Sequence, residues 1–486
     1  MTGAVEGLVP KLIWEQFADI SAIPRPSQKE KKVATHIIDL ARTKGLEVHQ
    51  DVAGNVVVRK PASPGKESSP VVVLQSHLDM VCEQNRGTNH NFESDGIRLI
   101  RSNGYVKADG TTLGADNGIG VAAELAVMLD DTLVHGPLEI LFTVDEEVGF
   151  TGAEGLTPGF FQGRILLNLD SEDEGVLYIG CAGGGDTLVT LPVEWEPAPK
   201  GHVQLGLALS GLRGGHSGSD IEDRRGNAIK LLARALLGIT KSNDIGLANL
   251  AGGGRLNAIP REAEAILYIR GERLKAFRDA IDDLNKMFVA EWTNHEPDIQ
   301  LHVIKPAPSS SDRILNKGHQ ETMLHLLQAL PHGVIAMSED IPGLVETSTN
   351  VASLETAAGA IIIGTSQRSS VKSSLEDIVS TIRAIGLLAG ARVEHQHAYP
   401  GWKPDFQSHA LRTVKETYKT LFGMVPESQV IHAGLECGLI SEKFPGIDMV
   451  SFGPTIERAH SPEERVNIAS VQKFWDLLTA VLRNLS

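Results

Sequence analysis

At 486 residues the chain exceeds what one ordinary core accommodates, so two or three domains are expected. Hydrophobic residues make up 42% and charged residues 22%, which excludes a disordered chain, and a formal net charge of −16 disfavours nucleic acid and anionic membrane as partners. Three cysteines (Cys82, Cys181, Cys437) are too few and too scattered for a disulfide framework, no basic-then-apolar segment opens the chain, and no apolar run reaches membrane-spanning length; a soluble cytoplasmic protein is the default expectation.

Residues 7–21 and 27–44 read as helices separated by Pro24 and Pro26; Ser27 and Glu30 have capping-box spacing, and Val33, Ile37, Ile38 and Ala41 share an apolar face. A hairpin is predicted over 46–50 and 55–59 around Ala53-Gly54, then a Pro/Ser/Gly/Lys loop over 61–70. Residues 71–74 form a buried-strand signal that ends at Ser76-His77-Leu78-Asp79. Gly114-Ala115-Asp116-Asn117-Gly118-Ile119-Gly120 leads into an apolar helix over 121–129, with Asp116 where an N-cap would sit. These glycines do not make a phosphate loop, because no Gly-Lys-Ser/Thr follows and the Rossmann spacing is absent.

Residues 138–144 are short, apolar and rich in β-branched side chains, so they read as a buried strand delivering Asp145-Glu146-Glu147-Val148-Gly149 at its carboxyl end. That end of an open α/β sheet is where ligands bind. Neighbouring carboxylates repel unless a cation or proton lies between them, so one can bind a metal while the other handles a proton. Residues 165–169 are a third such strand, with Asp170 at its end, and 181–186 read as a turn into a new region.

From about 186 to 397 amphipathic helices alternate with strands. Gly214-Gly215-His216-Ser217-Gly218 lacks the spacing of a serine-nucleophile elbow. The segments starting at Asn257 and Asn350 each lead into an apolar strand followed by a glycine, a weak sign of internal duplication. His395 and His397 read as an exposed polar face near a helix end rather than as metal ligands. After Trp402 come a helix over 407–421, the His432–Gly438 motif opening another helix, a strand over 448–453, the polar loop 458–463 and a final helix over 468–485.

Three strand ends (His77, Glu147, Asp170), one helix start (Asp116) and one late loop (His460) thus each offer an oxygen or imidazole ligand. Together, with no thiolate and enough carboxylates for one to bridge, they suit two metal ions per chain, zinc first, with manganese or cobalt suited to the same ligands. The zinc-protease helix motif is absent.

Ser76-His77-Leu78-Asp79-Met80-Val81, Gly114-Ala115-Asp116-Asn117-Gly118, Asp145-Glu146-Glu147-Val148-Gly149, Asn168-Leu169-Asp170-Ser171-Glu172 and Ala459-His460-Ser461-Pro462-Glu463 closely resemble the co-catalytic zinc peptidase family that includes carnosinases and aminoacylases. The likeness covers essentially the whole chain. It implies one metal on His77, Asp116 and Asp170 and another on Asp116, Glu147 and His460, with a cis peptide after the bridging Asp116. It further implies Asp79 as the residue that orients His77, Glu146 as the general base acting on a water between the metals, and His216 as an oxyanion donor. Asn257, Arg368, Gly434 and Leu435 match substrate-contacting positions, Arg368 being suited to a terminal carboxylate.

The expectation is an α/β, open-sheet di-metal hydrolase domain over 1–186 and 398–486, with an inserted α+β lid over 187–397 that holds two related subdomains if the duplication is real. The implied reaction is metal-dependent hydrolysis of small dipeptides, including Xaa-His dipeptides such as carnosine. The rivals are an N-acyl amino acid hydrolase and a non-catalytic peptide- or metal-binding protein on the same fold. Monomer and homodimer both remain open.

Overall fold

The computed structural model describes residues 2–240, 244–306, 312–339 and 341–486. The chain divides into two compact units: one comprises the residues up to Cys181 with Trp402–Val430 and Leu435–Ser486, the other Ala182–Gly401 with Ile431–Gly434.

The first unit is built on an eight-stranded sheet in the order Glu47–Gln50, Val56–Lys60, Leu138–Thr143, Val72–His77, Ile165–Asn168, Asp448–Ser451, Val176–Cys181, Glu427–Ile431. The four middle strands run parallel, and the hairpin 47–60 joins them antiparallel. Every residue of 72–77, 138–143 and 165–168 is buried, as expected of parallel strands covered on both faces, and these are the runs that lacked apolar/polar alternation. The register sets His77 opposite Thr143 and Gln75 opposite Asn168, so the chain segments after all three strands leave from one edge. Helix Ala115–Leu129 is buried on all sides and packs against helix Lys11–Ser21 and the 72–77 strand.

A four-stranded sheet of Leu99–Ser102, Tyr105–Ala108, Arg465–Asn467 and Ile456–Glu457 has no counterpart in the sequence reading. Its strands are only two to four residues long, too short to show a period, and its pairing of 465–467 with 105–107 brings the loop that carries His460 beside the segment leading to Asp116.

Three local expectations are corrected. Ser27 and Glu30 do not make a capping box: helix Lys31–Thr43 has no side-chain cap, and both side chains are bonded elsewhere. Asp116 does not act as a cap: it sits with Asn117 in a non-helical kink (φ −80, ψ 112 and φ −99, ψ 28), and its two carboxylate oxygens face His77 and His460. Residues 181–186 are not a turn: Gly183–Pro192 is a strand whose glycines are demanded by neighbours, since a Cβ on Gly183 would lie 2.4 Å from the Gly401 nitrogen and one on Gly184 2.6 Å from the Tyr399 hydroxyl.

The second unit is an antiparallel sheet running Gln300–Ile304, His202–Ser210, Ala263–Arg270, Ile245–Gly253, Val345–Thr356, Ala360–Ser369, Gly183–Pro192, Arg392–Tyr399, with Gly333–Met337 paired to 345–356. Its core joins Leu207, Phe277 and Ile363 from sheet and helices. The two segments singled out as alike supply the strands 263–270 and 360–369, each followed by a helix, Leu274–Trp292 and Lys372–Leu388. His395 and His397 lie on a strand rather than at a helix end, and His395 Nδ1 is 3.1 Å from Thr187 Oγ1.

Candidate metal centre

His77, Asp116, Glu146, Glu147, Asp170 and His460 converge in the first unit. His77 Nε2 lies 3.1 Å from Asp116 Oδ1 and 3.3 Å from Asp170 Oδ1. His460 Nε2 lies 3.1 Å from Asp116 Oδ2 and 2.9 Å from Glu147 Oε2. Asp116 therefore turns one carboxylate oxygen to each imidazole. The peptide that follows it is cis. Asp145 (φ 56) and His460 (φ 61) are left-handed, so the backbone turns sharply just where ligands must be aimed.

The donor set fits divalent cations. Ligand atoms sharing one tetrahedral ion with bonds of about 2.0–2.1 Å lie about 3.3 Å apart, and all four separations here are 2.9–3.3 Å. Glu147 Oε1 is buried with no hydrogen-bond partner, and carboxyls outnumber imidazoles. Burial raises the carboxyls of Glu146, Glu147 and Asp170, and neighbouring carboxylates push each further in the same direction. For Asp116 burial acts the same way, but hydrogen bonds from His460 and His77 win and hold it low. His460 is raised to about 11 by its bonds to Asp116 and Glu147.

Asp79 is fully buried beside this cluster. Its Oδ1 faces His77 Nδ1 at 3.3 Å and accepts the Glu146 N–H at 3.0 Å, and its Oδ2 accepts the Ser27 hydroxyl at 2.8 Å and the Glu147 N–H at 3.2 Å. One carboxylate thus fixes the His77 tautomer, turning the Nε2 lone pair toward Asp116 and Asp170, and also places both glutamates. Burial raises its pKa, yet the His77 bond and these donors bring it down to about 2.

Of the remaining candidates, His216, Asn257, Arg368 and Gly434 belong to the second unit and Leu435 to the first. His216 Nδ1 accepts the N–H groups of Gly218 and Ser219 at 3.2 and 3.3 Å, which puts the proton of the neutral ring on Nε2. Asn257 is exposed, and its carbonyl accepts the Ser217 N–H. Arg368 is buried and donates to the Tyr399 hydroxyl at 3.0 Å. Gly434 ends the short segment grouped with the second unit, and Leu435 precedes helix Glu436–Lys443 in the first.

Several participants were not picked out from the sequence. Ser27 supports Asp79, and Glu30 accepts the Asp145 N–H at 3.0 Å. Asn117 donates to Asp170, and Ser348 and His432 are 2.7 Å apart within the second unit. His432 opens the His432–Gly438 motif, so a signal for it was present; no signal marked Ser27 or Glu30 beyond their spacing, which pointed to a cap.

Residues 73–484 match the model of Peptidase family M20/M25/M40. The chain belongs to this family. Within the family, the chain is 43% identical over 478 residues to the cytosol non-specific dipeptidase of Escherichia coli, covering 98% of each chain. A crystal structure of aminoacylhistidine dipeptidase from Vibrio alginolyticus is similar over 98% of this chain and 97% of that one, with 42% identity and a TM-score of 0.88. Human carnosine dipeptidase 1 shares the fold, with a TM-score of 0.53 at 12% identity over 97% of this chain and 96% of that one. Among the described residues, no helix is long and apolar enough to cross a membrane.

Proposed function

We propose that the chain is a metal-dependent dipeptidase that hydrolyses the peptide bond of dipeptides, including Xaa-His dipeptides such as carnosine. The observation that carries this reading is Asp116 facing His77 with one oxygen and His460 with the other, next to Glu146. The relative at 43% identity over nearly the full length, itself a dipeptidase by name, supports the substrate class.

His77, Asp116 and Asp170 would hold one divalent ion and Asp116, Glu147 and His460 the other, zinc being the first choice for imidazole and carboxylate ligands. Bound there, such ions lower the pKa of a water toward neutrality and polarise the scissile carbonyl. Glu146 would take a proton from the attacking water and return it to the leaving amine. Asp79 keeps His77 oriented and holds the Glu146 backbone in place.

In this reading the domain spanning about 187–397 acts as a lid on the catalytic parts, 1–186 and 398–486. His216 offers its Nε2–H to the carbonyl oxygen, Arg368 pairs with the terminal carboxylate, and Asn257, Gly434 and Leu435 line the substrate. Free histidine released from β-alanyl-histidine tests the function, measured after metal removal and after zinc restoration. Release that returns with zinc supports it. No release in either state, with N-acyl amino acids cleaved instead, moves the assignment to an acyl-amino-acid hydrolase.

A further inference from the structure

Four consecutive N–H groups lead into Asp116, and one remote carboxylate takes them all. Glu464 Oε2 accepts from Leu113 (2.7 Å) and Gly114 (2.9 Å), and its Oε1 accepts from Ala115 (2.7 Å) and Asp116 (3.2 Å). Only 2% of Glu464 is exposed. Backbone N–H groups that point the same way favour an anion, so Glu464, more than three hundred residues away, holds the turn that leads through the kink at Asp116 and Asn117 into the helix that runs to Leu129.

Two further facts separate this carboxylate from an ordinary cap. Glu464 stands four residues after His460, and its own N–H closes a turn on the Ser461 carbonyl at 3.0 Å, so cap and metal ligand share one short loop. On the other side of the same segment, the buried Arg25 donates to the carbonyls of Leu78 and Asp79, both at 2.9 Å, and to that of Gly114. Gly114 is required there: it is left-handed (φ 68), and a Cβ would lie 2.6 Å from an Arg25 nitrogen. A carboxylate that collects N–H groups and a guanidinium that collects carbonyls therefore strap together the chain around His77, Asp116 and His460.

We propose that Glu464 is a positioning residue of the metal centre: by holding the backbone of 113–116 against the His460 loop it sets the spacing between Asp116 and His460, with Arg25 tying the same segment to the loop after His77. The proposal rests on the dinuclear reading above. A residue that was only a cap would affect stability and leave ion affinity alone.

The test is cobalt(II) binding to the metal-stripped full chain, followed by visible absorption, for wild type, Glu464→Gln, Glu464→Asp and Asn467→Ala. The last removes the cap of helix Ile468–Asn484, where Asn467 accepts the Ser470 N–H at 3.0 Å, and so serves as a stability-only control. Glutamine keeps the shape but turns an amide NH2 toward N–H donors. Glu464→Gln is expected to weaken cobalt binding about 10–100-fold, the usual range for loss of an outer-shell partner, with an altered cobalt spectrum. Asn467→Ala should lower Tm and leave affinity unchanged.

Glu464→Asp keeps the charge, is expected to bind with intermediate affinity, and carries the test if the glutamine variant does not fold. Wild-type affinity in Glu464→Gln, or in Glu464→Asp where that variant carries the test, overturns the proposal. So does an equal loss in Asn467→Ala. A wild-type chain that takes up no cobalt overturns the dinuclear reading itself, a result distinct from a failure confined to Glu464.

Discussion

Two clusters of acidic side chains sit side by side in the first unit, and they differ in what their oxygens face. Glu30, Asp79 and Asp145 are all buried and close enough together to suggest a cation site. Their oxygens are largely committed to protein donors: Glu30 accepts the Gln28 and Asp145 N–H groups, Asp145 the Thr151 hydroxyl, and Asp79 the Ser27 hydroxyl and two backbone N–H groups. Asp116, Glu147 and Asp170 instead face the Nε2 atoms of His77 and His460, while each cluster keeps one buried carboxylate oxygen without a partner, Asp145 Oδ1 in the first and Glu147 Oε1 in the second. Proximity of carboxylates does not by itself make a metal site. Two imidazole Nε2 atoms aimed at the carboxylates are what set the second cluster apart.

Variants on the two sides of this comparison should separate sharply. Glu146→Gln is expected to retain both metal ions while kcat falls about 10²–10⁴-fold, the range for loss of a general acid–base group; metal content and turnover measured on one preparation decide it, and near-normal turnover would remove Glu146 from the mechanism. Asp79→Asn lies at the border between the clusters. It loses the carboxylate that orients His77 and holds Glu146 and Glu147, so metal affinity should drop about 10–100-fold in a competition titration with a chelator; unchanged affinity would show that His77 needs no such partner.

Glu30→Gln should have the smallest effect. Both N–H groups that Glu30 accepts go to Oε1, and a glutamine oxygen can accept them as well, so stability should change by no more than about 1 kcal/mol in urea unfolding. Metal content should stay at the wild-type level. Loss of metal in this variant would break the distinction between the clusters.

Much of this was legible from the sequence because the relevant signals are local. The strands 72–77, 138–143 and 165–168 are largely apolar runs that end at or shortly before the candidate ligand residues His77, Glu147 and Asp170, and buried parallel strands look that way. What was misread had a tertiary cause. Ser27 and Glu30 have the spacing of a capping box, yet their partners, Asp79 and Asp145, lie 52 and 115 residues along the chain. Asp116 looks like an N-cap from its neighbours alone, but its own N–H, with those of Leu113 to Ala115, goes to Glu464, and its carboxylate turns to the two histidines. The hairpin 99–108 stayed hidden because its four-residue strands mix polar with apolar residues and hold no apolar run like that of 165–168. Arg25 and Glu464 showed no periodicity or motif of their own, and only the fold reveals that they meet the same four-residue segment.

Anomalous scattering from crystals of the zinc-loaded chain tests the central claim most directly. The account predicts two peaks, one on each side of the Asp116 carboxylate, the first bounded by His77 and Asp170 and the second by Glu147 and His460. A single peak that leaves Asp116 unbridged, or a peak among Glu30, Asp79 and Asp145, would contradict it.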